Sequence, residues 1–244
     1  MAPRFLGAPN GDLPMKPRIF SKLTLPLIAA VLTVASASAQ DKKGTNLSDS
    51  AAISAAPTPA EQLVLGYRLA DYARTLRDAR AMIVAARMVD SITVKEGTDR
   101  GKLEGAGKGG GEARPISAAG LFAEAKQFAN GDTDILAEIE KAQAESSRSA
   151  MRGAIRTVQF VPAQTTWTVN LAWRGGEPMV IGMRRDTATP VDLKIYDENG
   201  NLVCQDMSHN VTLYCRVNPI WSGAFSIQGI NHGDVGTGIA MVTN

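Results

Sequence analysis

The chain has 244 residues, with 26 Lys and Arg against 24 Asp and Glu. Four of the basic residues (Arg4, Lys16, Arg18, Lys22) and one acidic residue (Asp12) fall within the first 39 positions, leaving 22 basic and 23 acidic residues after them, a formal charge of −1. No electrostatic case for nucleic acid or an anionic membrane surface survives that separation.

The amino-terminal segment reads as an export signal. Basic residues precede an apolar run from Leu23 to Ala35, and Ala37-Ser38-Ala39 supplies a small-x-small cleavage site. The run is too short to span a bilayer and is interrupted by Pro26, so removal after Ala39 leaves no membrane span in the mature chain. Met15 opens a more ordinary signal than Met1 does, and the start stays open between them. A periplasmic or secreted destination follows.

Residues 40–58 are small and polar without apolar periodicity, and predict a flexible linker. A helical region is expected over 59–150. Thr58-Pro59-Ala60-Glu61 is a capping signature, and Leu63, Tyr67, Ala70 and Ala73 share one helical face. Asp78 caps a second stripe running from Ala79 to Ile92. A second hairpin spans Ser117 to Ser147, with Asn130-Gly131 as a stop and Asp134 as a cap. Together these give about four helices.

Between the hairpins, residues 95–114 predict a glycine-rich mobile loop. Gly105 to Gly110 matches G-x-G-x-x-G as a string, but no buried strand is expected before it and no helix start after it, so no nucleotide site is read there.

From residue 156 to 244 the pattern becomes all-β. Trp167, Val169, Leu171 and Trp173 alternate with polar or small residues, and short apolar runs then recur between Gly, Pro, Asn and Asp turns. About eight strands closing into a sandwich are expected, which makes the chain α+β and multidomain. Cys204 and Cys215 are the only cysteines, and export delivers them to an oxidising compartment, so a disulfide is predicted.

The run Val191 to Asn201 (VDLKIYDENGN), followed by LVC and then by C-x-V-x-P-x-WSGAFSI, resembles the bacterial pre-peptidase C-terminal domain family. The resemblance covers about the last 85 residues. It implies a small jelly-roll β-sandwich on an exported protein, and Lys194 departs from an acidic position of the family pattern.

Three site readings remain. Asp197, Asn199 and Asn201 begin like a calcium loop, but Leu202 stands where a turn glycine is needed and Ser208 where a bidentate Glu belongs. A β-turn on Asn199-Gly200 is the preferred reading, with calcium the alternative and no other cofactor expected. Trp221, in a Pro-x-Trp-Ser-Gly turn, is the candidate ring for stacking on a ligand. His209 and His232 have no nucleophile elbow or metalloprotease helix beside them, so no catalytic residue is assigned. The sequence therefore points to a non-enzymatic envelope protein that binds or packs on another envelope protein or a glycan. The alternatives are a carbohydrate- or peptidoglycan-binding module and an accessory domain of a peptidase system.

Overall fold

Helix α1 (Pro59–Leu76) begins at a full capping box. The Glu61 N–H donates to Thr58 Oγ1 at 3.2 Å and the Thr58 N–H donates to the Glu61 carboxylate at 2.7 Å, satisfying two otherwise orphaned donors. Arg77 ends the helix in the left-handed region, and Asp78 caps α2 (Ala79–Asp90) by accepting from the Ala81 N–H. α3 (Ala118–Ala129) starts at Ser117 and stops at Asn130, also left-handed. The cap of α4 (Thr133–Ser146) is Asp132 rather than the expected Asp134, its carboxylate accepting from the N–H groups of Asp134 and Ile135.

The computed structural model describes residues 42–48, 57–146 and 151–244. The predicted export signal, residues 40, 41 and 49–56 of the predicted linker and residues 147–150 of the predicted helical region lie outside them. Among the described residues there are four helices and ten strands.

Eight strands match the sequence reading: β3 (Met151–Val161), β4 (Thr165–Trp173), β5 (Met179–Arg185), β6 (Val191–Tyr196), β7 (Leu202–Asp206), β8 (Thr212–Val217), β9 (Gly223–Asn231) and β10 (Thr237–Thr243). Their antiparallel partners nest, β3 with β10, β4 with β9, β5 with β8 and β6 with β7. Adding the β10–β5 and β9–β6 ladders gives sheets ordered β3-β10-β5-β8 and β4-β9-β6-β7, the strand order of a jelly roll. Between the sheets lies one apolar core built around Trp167, Phe225, Leu193, Ile195, Ile181 and Met183.

Two further strands take part of the predicted loop of residues 95–114, whose residues 97–101 and 106–114 carry neither helix nor strand. β1 (Ile92–Glu96) takes the β-branched end of the second helical stripe and pairs parallel to β3, while β2 (Lys102–Gly105) pairs antiparallel to β4. They extend opposite sheets, so the segment joining them hooks across one open side of the sandwich. Gly101 sits in the hook at φ 64°, and an added Cβ would lie 2.3 Å from the Thr168 carbonyl. Only glycine fits there.

The helices form a layer on the first sheet, and their apolar cluster, distinct from the one between the sheets, takes in residues of that sheet. α1 and α2 share an apolar cluster with Ala154, Val180 and Val242, one residue each from β3, β5 and β10. Close approach is made possible at Gly182, where a Cβ would fall 2.2 Å from Val64 Cγ2. Residues Gln40–Asn244 accordingly make one compact unit.

Cys204 on β7 is joined to Cys215 on β8, tying the two sheets at the side opposite the hook with Cα atoms 6.1 Å apart. Reduction is expected to cost about 2–3 kcal/mol through the unfolded chain's regained freedom. For a unit of this size that corresponds to a fall in melting temperature of about 4–12 °C. Thermal melts followed by circular dichroism with and without reductant measure it, and an unchanged midpoint would show that the link adds nothing to the packed sandwich.

Candidate functional site

Asp197 follows β6 and opens the turn into β7. Its N–H donates to the Asn201 carbonyl at 3.0 Å, and its own carbonyl accepts from Gly200 at 3.0 Å. One carboxylate oxygen accepts from the N–H groups of Asn199 (3.0 Å) and Asn201 (2.8 Å). The other accepts from the Asn46 N–H (2.8 Å) and the Asn201 side-chain amide (3.0 Å). Burial pushes this carboxyl up, but the four N–H donors outweigh it and hold it below its ordinary value.

At Asp197, Asn199 and Asn201 that arrangement is the turn of the preferred reading, with the Asp197 carboxylate occupied by N–H donors. A hard cation needs converging oxygens, whereas the Asp197 oxygens here are surrounded by N–H groups. The amides of Asn199 and Asn201 turn their N–H groups to the carbonyls of Lys42 and Gly44, at 2.9–3.0 Å. Among the described residues, no three His, Cys, Asp or Glu side chains gather where they would hold a metal.

Trp221 is not an open stacking platform, because only 7% of it is exposed. Its indole N–H donates to Glu198 at 2.6 Å, and its backbone pairs with the Asn46 side chain. The stacking role predicted for it fails on burial.

Residues 42–48 are therefore a strap seated on the sandwich end, in place of the first part of the predicted linker. Asn46 is fully buried, its side-chain oxygen accepting from the N–H groups of Ile220 and Trp221 and its amide donating to the Trp221 carbonyl at 2.9 Å. The strap lacks periodicity, so nothing in its sequence signalled this seat. Asn46 and Glu198 are the site residues that sequence reasoning missed.

A second site lies at the seam of α1 and β8. Tyr214 and Arg216 alternate on the outer face of β8, and Glu61, Leu65 and Arg68 recur at helical spacing on α1. The Tyr214 hydroxyl donates to Glu61 at 2.9 Å, and Arg216 donates to the same oxygen at 2.6 Å. Burial and then the Glu61 carboxylate push the Tyr214 hydroxyl up to about 12. For Glu61 itself burial raises the pKa, but the Thr58 N–H, Tyr214 and Arg216 together bring it down. Arg68 lies over the Tyr214 ring, 5.6 Å from its centre, within reach of a cation–π contact. The groove these residues line, with Pro57 at its edge, holds about 360 Å³.

The two histidines stay apart from both sites. His209 is exposed in the left-handed region and its carbonyl accepts from Arg185 at 2.7 Å. His232 Nε2 lies 2.9 Å from an oxygen of buried Asp192. Among the described residues no hydroxyl or thiol bonds to that imidazole, so the pair lacks a nucleophile to activate.

No protein-family profile matches the chain, and no curated protein matches it in sequence. Among solved structures, the pre-peptidase C-terminal domain of a collagenase from Bacillus anthracis matches with a TM-score of 0.28 and 5% identity, over 37% of this chain and 76% of that one. The periplasmic g-type lysozyme inhibitor PliG of Aeromonas hydrophila matches with a TM-score of 0.29 and 11% identity, over 37% and 86%. A de novo designed double-stranded β-helix matches with a TM-score of 0.26 and 12% identity, over 36% and 97%. These are likenesses of fold and carry no functional argument: the C-terminal part of the chain is similar to the β-sandwich of a pre-peptidase C-terminal domain.

Proposed function

We propose that the chain is an exported envelope protein that binds another envelope protein, without catalysing a reaction, through the groove between α1 and β8. The export signal read at residues 1–39 and the disulfide support the compartment. The observation that carries the binding reading is the groove itself. A fixed Glu61–Tyr214–Arg216 set gives it a rigid polar wall, while Leu65, 57% exposed, and the half-exposed Arg68 offer an apolar contact beside a cation. Arginine and tyrosine side by side, here Arg68 over the Tyr214 ring, are residue types in which binding hot spots are enriched.

The test places a photo-crosslinking residue at Leu65 and, as a control, at exposed Val84 on α2. Irradiation in envelope extract from the organism that makes the protein is expected to give one discrete adduct from position 65. Arg68→Glu is expected to reduce that adduct at least about tenfold, the loss of one buried charged contact. Equal adducts from both positions, or an adduct indifferent to Arg68→Glu, would remove the groove as the contact.

A further inference from the structure

The sandwich end holds residues 42–48 as a receptor holds a peptide. Five hydrogen bonds to four backbone groups read only the main chain of the strap: the Lys42 carbonyl accepts from the Asn199 amide, the Gly44 carbonyl from the amides of Asn199 and Asn201, the Asn46 N–H donates to Asp197, and the Ser48 N–H donates to the Asn218 carbonyl at 2.8 Å. Any extended chain carries those groups. Three features read sequence. Gly44 stands at φ 95°, where other residues are strained. The Asn46 side chain both accepts from Ile220 and Trp221 and donates to the Trp221 carbonyl and Glu198. Leu47 packs partly buried against the inner core of the sandwich.

The chemistry at Asn46 is restrictive. Aspartate in its place has no N–H for the Trp221 carbonyl and brings a third negative charge beside Asp197 and Glu198. An alanine leaves the Ile220 and Trp221 N–H groups and the Trp221 carbonyl without their partner, the two Trp221 groups in a buried setting and the Ile220 N–H in a part-buried one. The site is thus complementary to an asparagine with a bend-forming glycine two residues before it and a leucine one residue after.

We propose that the end of the sandwich formed by the Asp197–Asn201 turn and the Asn218–Trp221 turn is a peptide-binding cradle for Gly-x-Asn-Leu sequences that bend at the glycine. The chain's own Gly44–Leu47 is its resident occupant, exchangeable for the same sequence on a separate molecule. The cradle is distinct from the α1–β8 groove and stands or falls without it. A segment on the same chain competes at an effective concentration on the order of millimolar, so exchange is read best where the resident strap has been weakened.

The probe is a fluorescein-labelled peptide of residues 42–48, titrated with the full chain and followed by anisotropy. The Asn46→Ala chain is expected to bind it saturably and at least about tenfold more tightly than the wild type, because the resident competitor has lost its anchor. A peptide carrying alanine in place of its asparagine is expected to bind at least about tenfold more weakly. Adding Asn199→Ala and Asn201→Ala to the Asn46→Ala chain is expected to abolish binding. Gly44→Ala, which strains the strap and leaves every cradle residue intact, provides the same comparison should the Asn46→Ala chain not fold. Absence of saturable binding to the folded strap-weakened chain, or equal binding of the alanine peptide, would overturn the proposal.

Discussion

Trp167→Ala is expected to destabilise the protein by about 3–5 kcal/mol, the cost of deleting a large, fully enclosed aromatic side chain. Trp167 has no exposed surface and stands first among the largest buried side chains, packed between the two sheets from β4. Its role extends beyond volume, because the indole N–H donates to the Arg100 carbonyl at 2.8 Å and so fastens the β1–β2 hook to the core beneath it. Trp167→Phe separates the two contributions. It keeps most of the ring and leaves the Arg100 carbonyl to water, a loss of about 1 kcal/mol. Urea unfolding followed by far-ultraviolet circular dichroism gives both values. If alanine and phenylalanine cost the same, the ring is not filling the core as described, and the hook depends on the hydrogen bond alone.

The hook also shows what the sequence left illegible. The eight strands from β3 to β10 were readable because residues such as Trp167, Val169, Leu171 and Trp173 repeat at the period of a half-buried strand. β1 and β2 carry Lys95, Glu96, Lys102 and Glu104 in runs of five and four residues. Such runs are too short and too charged to show a period, and their partner strands lie more than 50 residues downstream. α1 and α2 were legible through local caps at Thr58 and Asp78, and the α3–α4 hairpin through its stop at Asn130-Gly131.

Docking of the helices on the sheet was hidden for a different reason. Its one positive signal is continuity: every residue of β10 is buried, as are five in succession from Met179 to Met183 on β5. A strand covered on both faces loses its alternation and reads as a plain apolar run. The groove was half legible, with the spacing on α1 and the alternation on β8 each visible but nothing local to pair them. The cradle was legible only as a turn, because what Asp197 holds lies 151 residues upstream in a strap without pattern.

Asp197→Ala is expected to cost about 2–4 kcal/mol, since it strips four N–H donors of a charged acceptor in one step. The charge makes this contribution depend on pH, and the sign follows from the direction of the shift. The folded carboxyl is held below the ordinary value of 3.8, so the folded state binds its proton less readily than the unfolded chain does. The stabilisation is complete above the unfolded value and drains away as pH falls through it toward the lower folded value. Asp197→Asn keeps the size of the side chain but removes the charge, and its contribution is expected to stay flat over the same window. The stability gap between wild type and Asp197→Asn should therefore be widest near neutral pH and shrink below about pH 4. The Asn46 amide should in parallel lose protection from hydrogen exchange in the wild type as the acid limit is approached, ahead of amides in β9, which pair with the backbones of β4 and β6. A gap that stays constant from about pH 7 to pH 2 would mean that the strap is held by shape and neutral contacts, and that the Asp197 charge contributes nothing to its seat.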